Sequence, residues 1–336
     1  MDWKDKNVLI TGGTGSFGKK FIEIMLKEYH PKVIRIFSRD ELKQYEMQKQ
    51  YDHPSLRYFI GDVRDKDRVH QALDGATMVI HAAALKQVPA CEYNPFEAVK
   101  TNILGAQNIV EAAIEHEVPH TIALSTDKAV NPTNLYGATK MCMERLFVAA
   151  NSYSGMHDVR FACVRYGNVV GSRGSVIPLF LEQRETGVIT VTDKRMTRFW
   201  ITLEEGVRLV IHAAETLHGG EVYVPKIPSM RIVDLARIVG PDCKIKEVGI
   251  RPGEKIHEVL LTEDEARHAL EFDNQFIIEP EYHWWKWDNW KGGKKLPDTF
   301  RYTSDNNTVW LTDQKLQEMV EGVAQSMQVP FATAAV

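Results

Sequence analysis

Short apolar segments alternate with longer amphipathic segments over the first 125 residues of the chain. The apolar segments are rich in β-branched residues and have the length of buried strands, whereas the stretches between them have helical periodicity. Apolar strands that alternate with amphipathic helices predict a doubly wound α/β domain with a parallel sheet. The predicted strands are 7–11, 33–37, 56–60, 77–83, 120–125 and 159–167, and the predicted helices are 17–29, 96–115 and 134–153.

The alternation becomes irregular after about residue 167. Residues 171–180 have the pattern of a glycine-containing loop that enters a helix, and 202–217 that of an amphipathic helix. Another helix is predicted at 229–240, with Ser229 as its N-cap and Gly240 at its end. Because this half has fewer predicted strands, we expect a smaller second domain packed over the ends of the sheet. The expected division is 1–170 and, mainly, 171–330, with some later segments returning to the first domain.

Composition and charge narrow the class of protein. The 336 residues are 44% hydrophobic and 26% charged, which is typical of a soluble globular protein. A formal charge of −4 gives no reason to expect nucleic acid or an anionic membrane as partner. The N-terminus is charged, and no apolar stretch approaches the roughly 20 residues of a membrane span. We therefore expect a cytoplasmic protein without membrane insertion.

The four cysteines lie far apart, without a CxxC pair or a histidine cluster at ligand spacing. This spacing argues against a disulfide framework and against a metal site, and it fits a reducing compartment.

Residues 281–300 contain four tryptophans, of which three lie within 284–287 and the fourth is Trp290. Two interpretations stay open at this stage. The rings fill a groove on the body of the protein, or they form a subunit contact, since tryptophan is favoured at interface hot spots.

A glycine-rich turn, LITGGTGSFGKK, lies between the first predicted strand and the first predicted helix. Glycine lets the backbone turn tightly and approach a pyrophosphate, and a helix N-terminus offers free N–H groups and a positive dipole. Because this glycine-rich turn precedes a series of βα units, it predicts a dinucleotide site in a Rossmann-type domain. The residues expected to contact the cofactor there are Gly12, Thr14, Gly15, Ser16, Phe17 and Gly18.

The end of the second strand bears on the choice of cofactor. Sites selective for NAD usually carry an acid at this point, whereas this chain has Ser38 followed by Arg39, with Lys43 one helical turn further on. A small hydroxyl and a guanidinium suit a 2′-phosphate, which favours NADP. Asp40 is interpreted as the cap of the next helix.

The ends of the third and fourth strands add further candidates. Asp62, followed by Val63, is expected near the adenine amino group. Ala82 is expected under the cofactor, and Lys86 is expected to point into the site.

Four groups that exchange protons lie within residues 127–140. Tyr136 and Lys140 are four residues apart and therefore share one helix face. A cationic lysine and the positive nicotinamide would lower the phenol's pKa from about 10 and make it a base. Asp127 and Lys128 follow the fifth strand, where open α/β sheets bind ligands. The alternative for this adjacent pair is a solvated ion pair of little consequence.

Several motifs together resemble a known family. The glycine turn, YGATK and STDKA resemble the extended short-chain dehydrogenase/reductase superfamily. Longer motifs resemble its UDP-N-acetylglucosamine 4,6-dehydratases, and the similarity spans most of residues 5–320. These longer motifs are FSRDELKQ, ALKQVPACEYNPFEAVKTN, TDKAVNPTNLYGATK, RYGNVVGSRGSVIP, RMTRFWIT and RPGEKIHE.

This resemblance implies a reaction on the hexose of UDP-N-acetylglucosamine. Tyr136 takes the C4 hydroxyl proton while tightly bound NADP takes the C4 hydride, and Thr126 hydrogen-bonds the C4 oxygen. Lys128 removes the C5 proton that the ketone has acidified, and Asp127 protonates the departing C6 hydroxyl. Hydride then returns to C6, so that the cofactor is regenerated in each cycle.

The resemblance also implies how the nucleotide sugar is held. Arg251 would pair with the diphosphate and Glu254 with the uridine ribose, although Glu254 could instead begin a helix. Arg195 and Arg198 are further candidates, with surface charge as the alternative for each. The remaining residues expected at the substrate are Lys86, Thr126, Asn168, Arg173, Ser175 and Val176, and Asn168 is also expected at the cofactor.

Members of the family either invert or retain C5. A short chain without membrane spans is more similar to the soluble inverting enzymes, whose product is UDP-2-acetamido-2,6-dideoxy-β-L-arabino-hexos-4-ulose. A retaining dehydratase and a C4 epimerase are the alternatives. Relatives form dimers or hexamers, and helices expected around 92–117 and 134–153 would form the subunit contact.

Overall fold

The first half of the chain alternates strands and helices in the computed structural model, which describes residues 1–171, 175–281 and 290–327. The six predicted strands are confirmed, and β1 and β3 have the predicted bounds. The elements are β1 (Asn7–Thr11), α1 (Ser16–Ile24), β2 (Val33–Ser38), α2 (Glu41–Gln50), β3 (Leu56–Ile60), α3 (Lys66–Leu73), β4 (Met78–His81), α4 (Val88–Tyr93), α5 (Pro95–Val99), α6 (Gly105–Glu115), β5 (His120–Leu124), α7 (Leu135–Tyr153) and β6 (Arg160–Val164).

Two predicted helices change their winding within their length. The helix predicted at 17–29 is α1 continued by a π-helical turn, Met25–Tyr29. The helix predicted at 96–115 consists of α5, a π-helical turn at Lys100–Leu104, and α6. The apolar periodicity identifies the buried face of such a segment but does not resolve a local change of hydrogen-bond pattern.

The second half contains more strands than its sequence predicts. Most have two to four residues, which is too short for a clear alternation of apolar and polar positions. The elements are β7 (Asn168–Val169), α8 (Val176–Arg184), β8 (Val188–Val191), β9 (Thr197–Ile201), α9 (Leu203–Thr216), β10 (Val222–Pro225), β11 (Ser229–Arg231), α10 (Ile232–Val239), β12 (Lys244–Glu247), β13 (Val259–Leu261), α11 (Glu263–Ala266), β14 (Ala269–Glu271), β15 (Gln275–Ile278), β16 (Lys294–Lys295), β17 (Tyr302–Thr303) and α12 (Asp313–Met327).

The predicted N-cap of the helix at 229–240 is wrong. Ser229 lies in β11, where it pairs with Phe199 of β9, and Arg231 is the N-cap of α10. The tertiary pairing of β11 overrides the local capping preference of serine. The predicted end is confirmed, since Gly240 follows the last residue of α10.

The main sheet has ten strands in the order β16-β14-β15-β10-β6-β5-β4-β1-β2-β3. Strands β1 to β6 and β10 run parallel, while β15 pairs antiparallel with β10 and β14. Strand β1 lies between β2 and β4, so the direction in which successive strands are added to the sheet reverses at β1. Open α/β sheets bind ligands at the carboxyl ends of their strands at such a switch point.

A second apolar core lies beside the core of the main sheet. It is formed by α8, α10 and α12 with strands β8 and β9, and its buried side chains include Phe180, Trp200, Leu235 and Val320. Strands β10 and β14 to β16 belong to the main sheet although they follow residue 170. In the described residues, no helix combines the length and the apolar character that crossing a membrane requires.

Candidate active site

A cavity of about 1190 Å³ extends over the carboxyl ends of the parallel strands near the switch point. Gly18 and Asp127 lie outside its lining, and Arg173 is outside the described residues. The predicted site residues that line the cavity are Gly12, Thr14, Gly15, Ser16, Phe17, Ser38, Arg39, Lys43, Asp62, Val63, Ala82, Lys86, Thr126, Lys128, Tyr136, Lys140, Asn168, Ser175, Val176, Arg198, Arg251 and Glu254.

The glycine turn leaves the start of α1 open to a ligand. Gly12 has φ +66°, and a Cβ there would lie 3.0 Å from the backbone of Ala83. Gly15 is the N-cap and supplies no side-chain cap, so no capping side chain competes for the N–H groups of the first turn. A Cβ at Gly18 would lie 2.2 Å from the carbonyl oxygen of Gly13, so this glycine lets the helix pack on the turn. These features fit the pyrophosphate of a dinucleotide.

The end of β2 carries positive charge at the rim of the cavity. Arg39 is exposed, and its Nη1 lies 3.7 Å from Oδ2 of Asp62. Ser38 is buried, and its hydroxyl accepts a hydrogen bond from Nε2 of Gln44 at 3.0 Å. The prediction that Asp40 caps the next helix is confirmed, because its side chain accepts from the backbone N–H of Lys43 and also pairs with the amine of Lys43.

The first turn of α7 packs directly on the short 3₁₀ turn Asp127–Ala129. Asn134 is the N-cap of α7 and accepts from the N–H of Gly137 at 2.8 Å. A Cβ at Gly137 would lie 2.1 Å from the carbonyl oxygen of Lys128, so only glycine allows this approach. The contact brings Tyr136, at the start of α7, to the acid–base pair that follows β5.

Asp127 and Lys128 form an ion pair in which the carboxylate is buried and the lysine side chain is 26% exposed. Asp127 has no exposed surface, and its Oδ1 accepts from Thr126 Oγ1 at 2.9 Å and from Lys128 Nζ at 3.1 Å. Within the described residues its other oxygen, Oδ2, is buried without a hydrogen-bond partner. The alternative of a solvated ion pair is therefore wrong. An orphaned buried carboxylate oxygen is costly unless it is protonated or meets a ligand.

Burial and neighbouring charges shift both members of this pair. Burial, opposed by the charge of Lys128, raises the pKa of Asp127. Burial alone would lower the pKa of Lys128, but the carboxylates of Asp127 and Glu258 outweigh burial and raise it. A carboxyl group that holds its proton more tightly than usual, next to a lysine, suits paired proton transfers.

The expectation for Tyr136 requires a correction. Burial raises its pKa to about 12, and the cation that opposes this shift is Lys128 rather than Lys140. The amine of Lys140 is buried, contacts Met143 Sδ at 3.0 Å, and is influenced by Cys163 and Glu144. Burial lowers the pKa of Lys140 to about 8. The i, i+4 spacing places both residues on one helix face, but it does not decide which cation acts most strongly on the phenol.

The RPGEK motif forms a turn at the rim of the cavity. Arg251 Nη1 lies 3.9 Å from Oε1 of Glu254, and both residues line the cavity. No helix begins at Glu254, so that alternative is wrong. The carbonyl oxygen of Gly253 accepts from Thr133 Oγ1 at 3.0 Å and from Asn134 Nδ2 at 2.8 Å. The turn is thereby attached to the start of α7.

Further buried polar atoms in the cavity wall are available to a ligand. Oδ1 of Asn168 and Oγ of Ser175 are buried in the cavity wall without a hydrogen-bond partner among the described residues. Buried polar atoms are normally hydrogen-bonded, so these two are candidate ligand contacts.

The two arginines of RMTRFWIT have different environments. Arg198 is 8% exposed and donates to the carbonyl oxygens of Thr197, Ile256 and Lys255. The side chain of Arg195 is 70% exposed and pairs with Asp193 at 2.6 Å. Surface charge is therefore the correct description of Arg195 and the wrong one for Arg198.

Comparison with known proteins places this geometry in a family. Residues 8–280 match the family model described as polysaccharide biosynthesis protein. The chain belongs to this family. It is 51% identical over 324 residues to the UDP-N-acetylglucosamine 4,6-dehydratase (inverting) of Campylobacter jejuni subsp. jejuni serotype O:2, with 94% of this chain and 97% of that protein covered. The resemblance indicated by the sequence motifs is thus confirmed.

Relatives in this family carry more than one activity name. The UDP-glucose 4-epimerase of Rickettsia canadensis is 41% identical over 327 residues, with 94% of this chain and 95% of that protein covered. The X-ray structure of Pen from Bacillus thuringiensis is 40% identical, covers 96% of this chain and 99% of its own, and superposes with a TM-score of 0.86. Assignment of the reaction therefore depends on the residues of the cavity.

Sequence reasoning missed one charged residue behind the cavity of this family member. The carboxylate of Glu258 lies 3.5 Å from Lys128 Nζ, 3.7 Å from Arg198 Nε and 4.0 Å from Lys255 Nζ. Glu258 is the last residue of the motif RPGEKIHE, so the motif itself contained the signal.

Proposed function

We propose that this protein is an NADP-dependent UDP-N-acetylglucosamine 4,6-dehydratase that inverts C5. The similarity to the dehydratase of Campylobacter jejuni supports the substrate and the stereochemistry. One observation carries the choice of reaction: Lys128 and Tyr136 line one cavity, and the buried carboxylate of Asp127 lies directly behind Lys128 at 3.1 Å. Elimination of water needs an acid and a base in addition to the residue that deprotonates the C4 hydroxyl.

The residues at the switch point fit a nicotinamide dinucleotide. The glycine turn would hold the pyrophosphate, Asp62 and Val63 would flank the adenine, and Arg39 would bind a 2′-phosphate, which favours NADP. Ser125 Oγ and Asn168 Oδ1, which are buried without partners in the described part of the chain, would face the nicotinamide end. When bound, the cofactor supplies the hydride acceptor for C4 and the hydride donor for C6.

Each catalytic side chain has one proton to move or hold. Tyr136 accepts the proton of the C4 hydroxyl, and Thr126 donates a hydrogen bond to the C4 oxygen. The amine of Lys128 accepts the C5 proton, which the neighbouring ketone makes acidic. Asp127 donates its proton to the departing C6 oxygen. Such proton transfers each contribute about 10²–10⁴-fold to the rate.

The second half of the chain would bind the UDP moiety. Arg251 at the rim offers a bidentate cation to the diphosphate. Glu254 would accept from the uridine ribose, Ser175 would pair its orphaned Oγ with the nucleotide or the sugar, and the amide nitrogen of Asn168 would be left to donate to the substrate. Residues 1–170 would thus bind mainly the cofactor, and 171–330 mainly the substrate.

A C4 epimerase is the second candidate, favoured by the similarity to the UDP-glucose 4-epimerase of Rickettsia canadensis. An epimerase would use Tyr136 and Lys140, but it does not require the acid–base pair. Incubation of the cofactor-loaded protein with UDP-N-acetylglucosamine, followed by mass spectrometry, separates the two. A product lighter by one water supports the dehydratase, and a product of unchanged mass supports the epimerase. NMR of the product then assigns the configuration at C5.

We also propose a cytoplasmic homo-oligomer, dimeric or hexameric. Large apolar side chains are exposed along α4 to α7, where relatives are expected to form their subunit contact. These side chains are Tyr93, Phe96, Leu104 and Met141. Light scattering of the wild type and of Phe96→Glu tests this proposal, because a charge in the contact would produce monomers.

A further inference from the structure

Glu258 is fixed in place directly behind the amine of Lys128. It is 3% exposed and is not among the residues that line the cavity. Ser304 holds its backbone from both sides: the N–H of Glu258 donates to Ser304 Oγ at 2.9 Å, and the N–H of Ser304 donates to the carbonyl oxygen of Glu258 at 2.8 Å. A buried carboxylate that is held this firmly needs charged partners.

Three cations surround this carboxylate. Oε1 lies 3.5 Å from Lys128 Nζ and 3.7 Å from Arg198 Nε, and Oε2 lies 4.0 Å from Lys255 Nζ. Although burial alone would raise the pKa of Glu258, these three cations lower it, so the carboxylate is ionised. The other titratable groups that face this cluster are Asp127, Tyr136 and Lys86.

We propose that Glu258 is a positioning residue for the elimination step, which holds the amine of Lys128 against Asp127 and keeps one proton within that pair. The inference rests on the proposed dehydratase function and adds to it a residue that touches neither substrate nor cofactor. Lys128 Nζ lies between the two carboxylates, 3.1 Å from Asp127 Oδ1 and 3.5 Å from Glu258 Oε1.

The pair begins and ends the elimination with the same charges. A proton passes from the Lys128 ammonium to the Asp127 carboxylate, which leaves an amine and an acid. The amine lone pair takes the C5 proton, and the electrons of the C5–H bond form the C5–C6 double bond as the C6–O bond breaks. The departing oxygen takes the proton of Asp127 and leaves as water. Lys128 is then again an ammonium, and Asp127 a carboxylate.

The fixed charge of Glu258 assists both members of this exchange. It attracts the ammonium that forms on Lys128, which strengthens the base, and it repels a charge on Asp127, which favours the acid form. Accordingly, Glu258 contributes to the raised pKa of each member of the pair. The active, singly protonated pair thus occupies a pH range that is displaced upward by Glu258.

Glu258→Gln tests the inference, because it retains the shape of the side chain and removes the charge. The measurement is the pH dependence of kcat for loss of water from UDP-N-acetylglucosamine, monitored by mass spectrometry. The acidic and the alkaline limb of the pH profile should both move to lower pH. At the pH optimum of the wild type, kcat should fall by about tenfold or more, since a shift of one pKa unit changes the ratio of the two protonation states by a factor of ten. KM should stay within about twofold, because the residue does not touch the substrate.

Two companion variants complete the experiment. Glu258→Asp keeps a charge but draws it away from Lys128, so its limbs should lie between those of the wild type and of Glu258→Gln. Glu221→Gln is the matched control, because it removes another buried carboxylate. Glu221 lies just before β10 and accepts from the N–H groups of His218 and Gly219. This variant should leave both limbs of the pH profile in place.

The outcomes distinguish a failure of the proposed dehydratase function from a failure of the proposed role of Glu258. A wild type that forms no dehydrated product overturns the proposed function. An active wild type with unmoved limbs in Glu258→Gln overturns the role of Glu258 alone. If Glu258→Gln does not fold, as judged by circular dichroism, unmoved limbs in Glu258→Asp overturn it instead.

Discussion

Gly137 packs against the backbone of Lys128. A Cβ at position 137 would lie 2.1 Å from the carbonyl oxygen of Lys128 and 2.9 Å from its carbonyl carbon. Because Gly137 follows Tyr136 in α7, this backbone contact determines how closely the phenol approaches the amine. The glycine of the YGATK motif therefore positions the proposed catalytic groups, although it carries no side chain of its own.

Gly137→Ala should separate these two elements. Since the clash involves backbone on both sides, we expect a loss of about 1–3 kcal/mol in the free energy of unfolding. Displacement of Tyr136 should lower kcat by about 10- to 100-fold. Urea unfolding and steady-state kinetics measure the two effects.

Gly322→Ala is the matched control. Gly322 lies within α12, and a Cβ there would meet no atom within 4 Å. Alanine at this position should stabilise the protein by up to about 1 kcal/mol and leave kcat unchanged. Equal urea midpoints for Gly137→Ala and the wild type would show that the contact is not strained by a Cβ.

Arg198 and Arg195 should respond differently to the same substitution. Arg198→Met removes a guanidinium that donates to three carbonyl oxygens and faces Glu258, so we expect a loss of roughly 3 kcal/mol in the free energy of unfolding. Arg195→Met removes an exposed partner of Asp193 and should leave the free energy of unfolding nearly unchanged. Similar urea midpoints for the two variants would contradict the assigned burial of Arg198.

The sequence predicted local features well and long-range contacts poorly. The strands around the cavity and the glycine turn were predictable because a short segment of sequence determines their geometry. Glu258 belongs to the RPGEKIHE motif, but its role was missed because its contact with Lys128 spans 130 residues of chain, and the motif does not report that contact. Ser229 was assigned to a helix cap because its pairing with β9 is likewise a tertiary contact. The burial of Arg198 also depends on tertiary contacts, so the sequence did not distinguish it from the exposed Arg195.

Arg39→Ala should weaken the binding of NADP more than that of NAD. Arg39 lies at the cavity rim, and its guanidinium would form a charge-assisted contact to the 2′-phosphate worth about 1.5–3 kcal/mol. Titration calorimetry should therefore show a Kd for NADP that is about 10- to 100-fold higher, with the Kd for NAD nearly unchanged. Arg57→Ala, which removes an exposed arginine of β3 outside the cavity, should alter neither value. Equal weakening of both cofactors would place the 2′-phosphate elsewhere.

A largely buried cluster of ion pairs around Arg165 predicts acid sensitivity. Arg165 Nη2 lies 2.7 Å from Glu144 Oε2 and 2.9 Å from Glu265 Oε1. Burial alone would raise the pKa of Glu265, but Arg165 outweighs burial and lowers it below the ordinary 4.5. A carboxyl group whose pKa is lowered by folding stabilises the folded state above its unfolded pKa. This stabilisation is lost as the pH falls through the folded pKa.

Glu265→Gln should therefore lower the free energy of unfolding most at neutral pH, by about 3 kcal/mol, because it leaves the buried Arg165 with one of its two carboxylate partners. Below pH 4.5 the wild type loses the contribution of Glu265 by protonation, so the difference between the two proteins should narrow. Urea unfolding at a series of pH values measures this difference. Glu263→Gln, an exposed change in the same helix, should follow the wild type throughout. A gap between Glu265→Gln and the wild type that stays constant into acid would mean that Glu265 stabilises the fold through packing and its hydrogen bonds to Thr262 rather than through its charge.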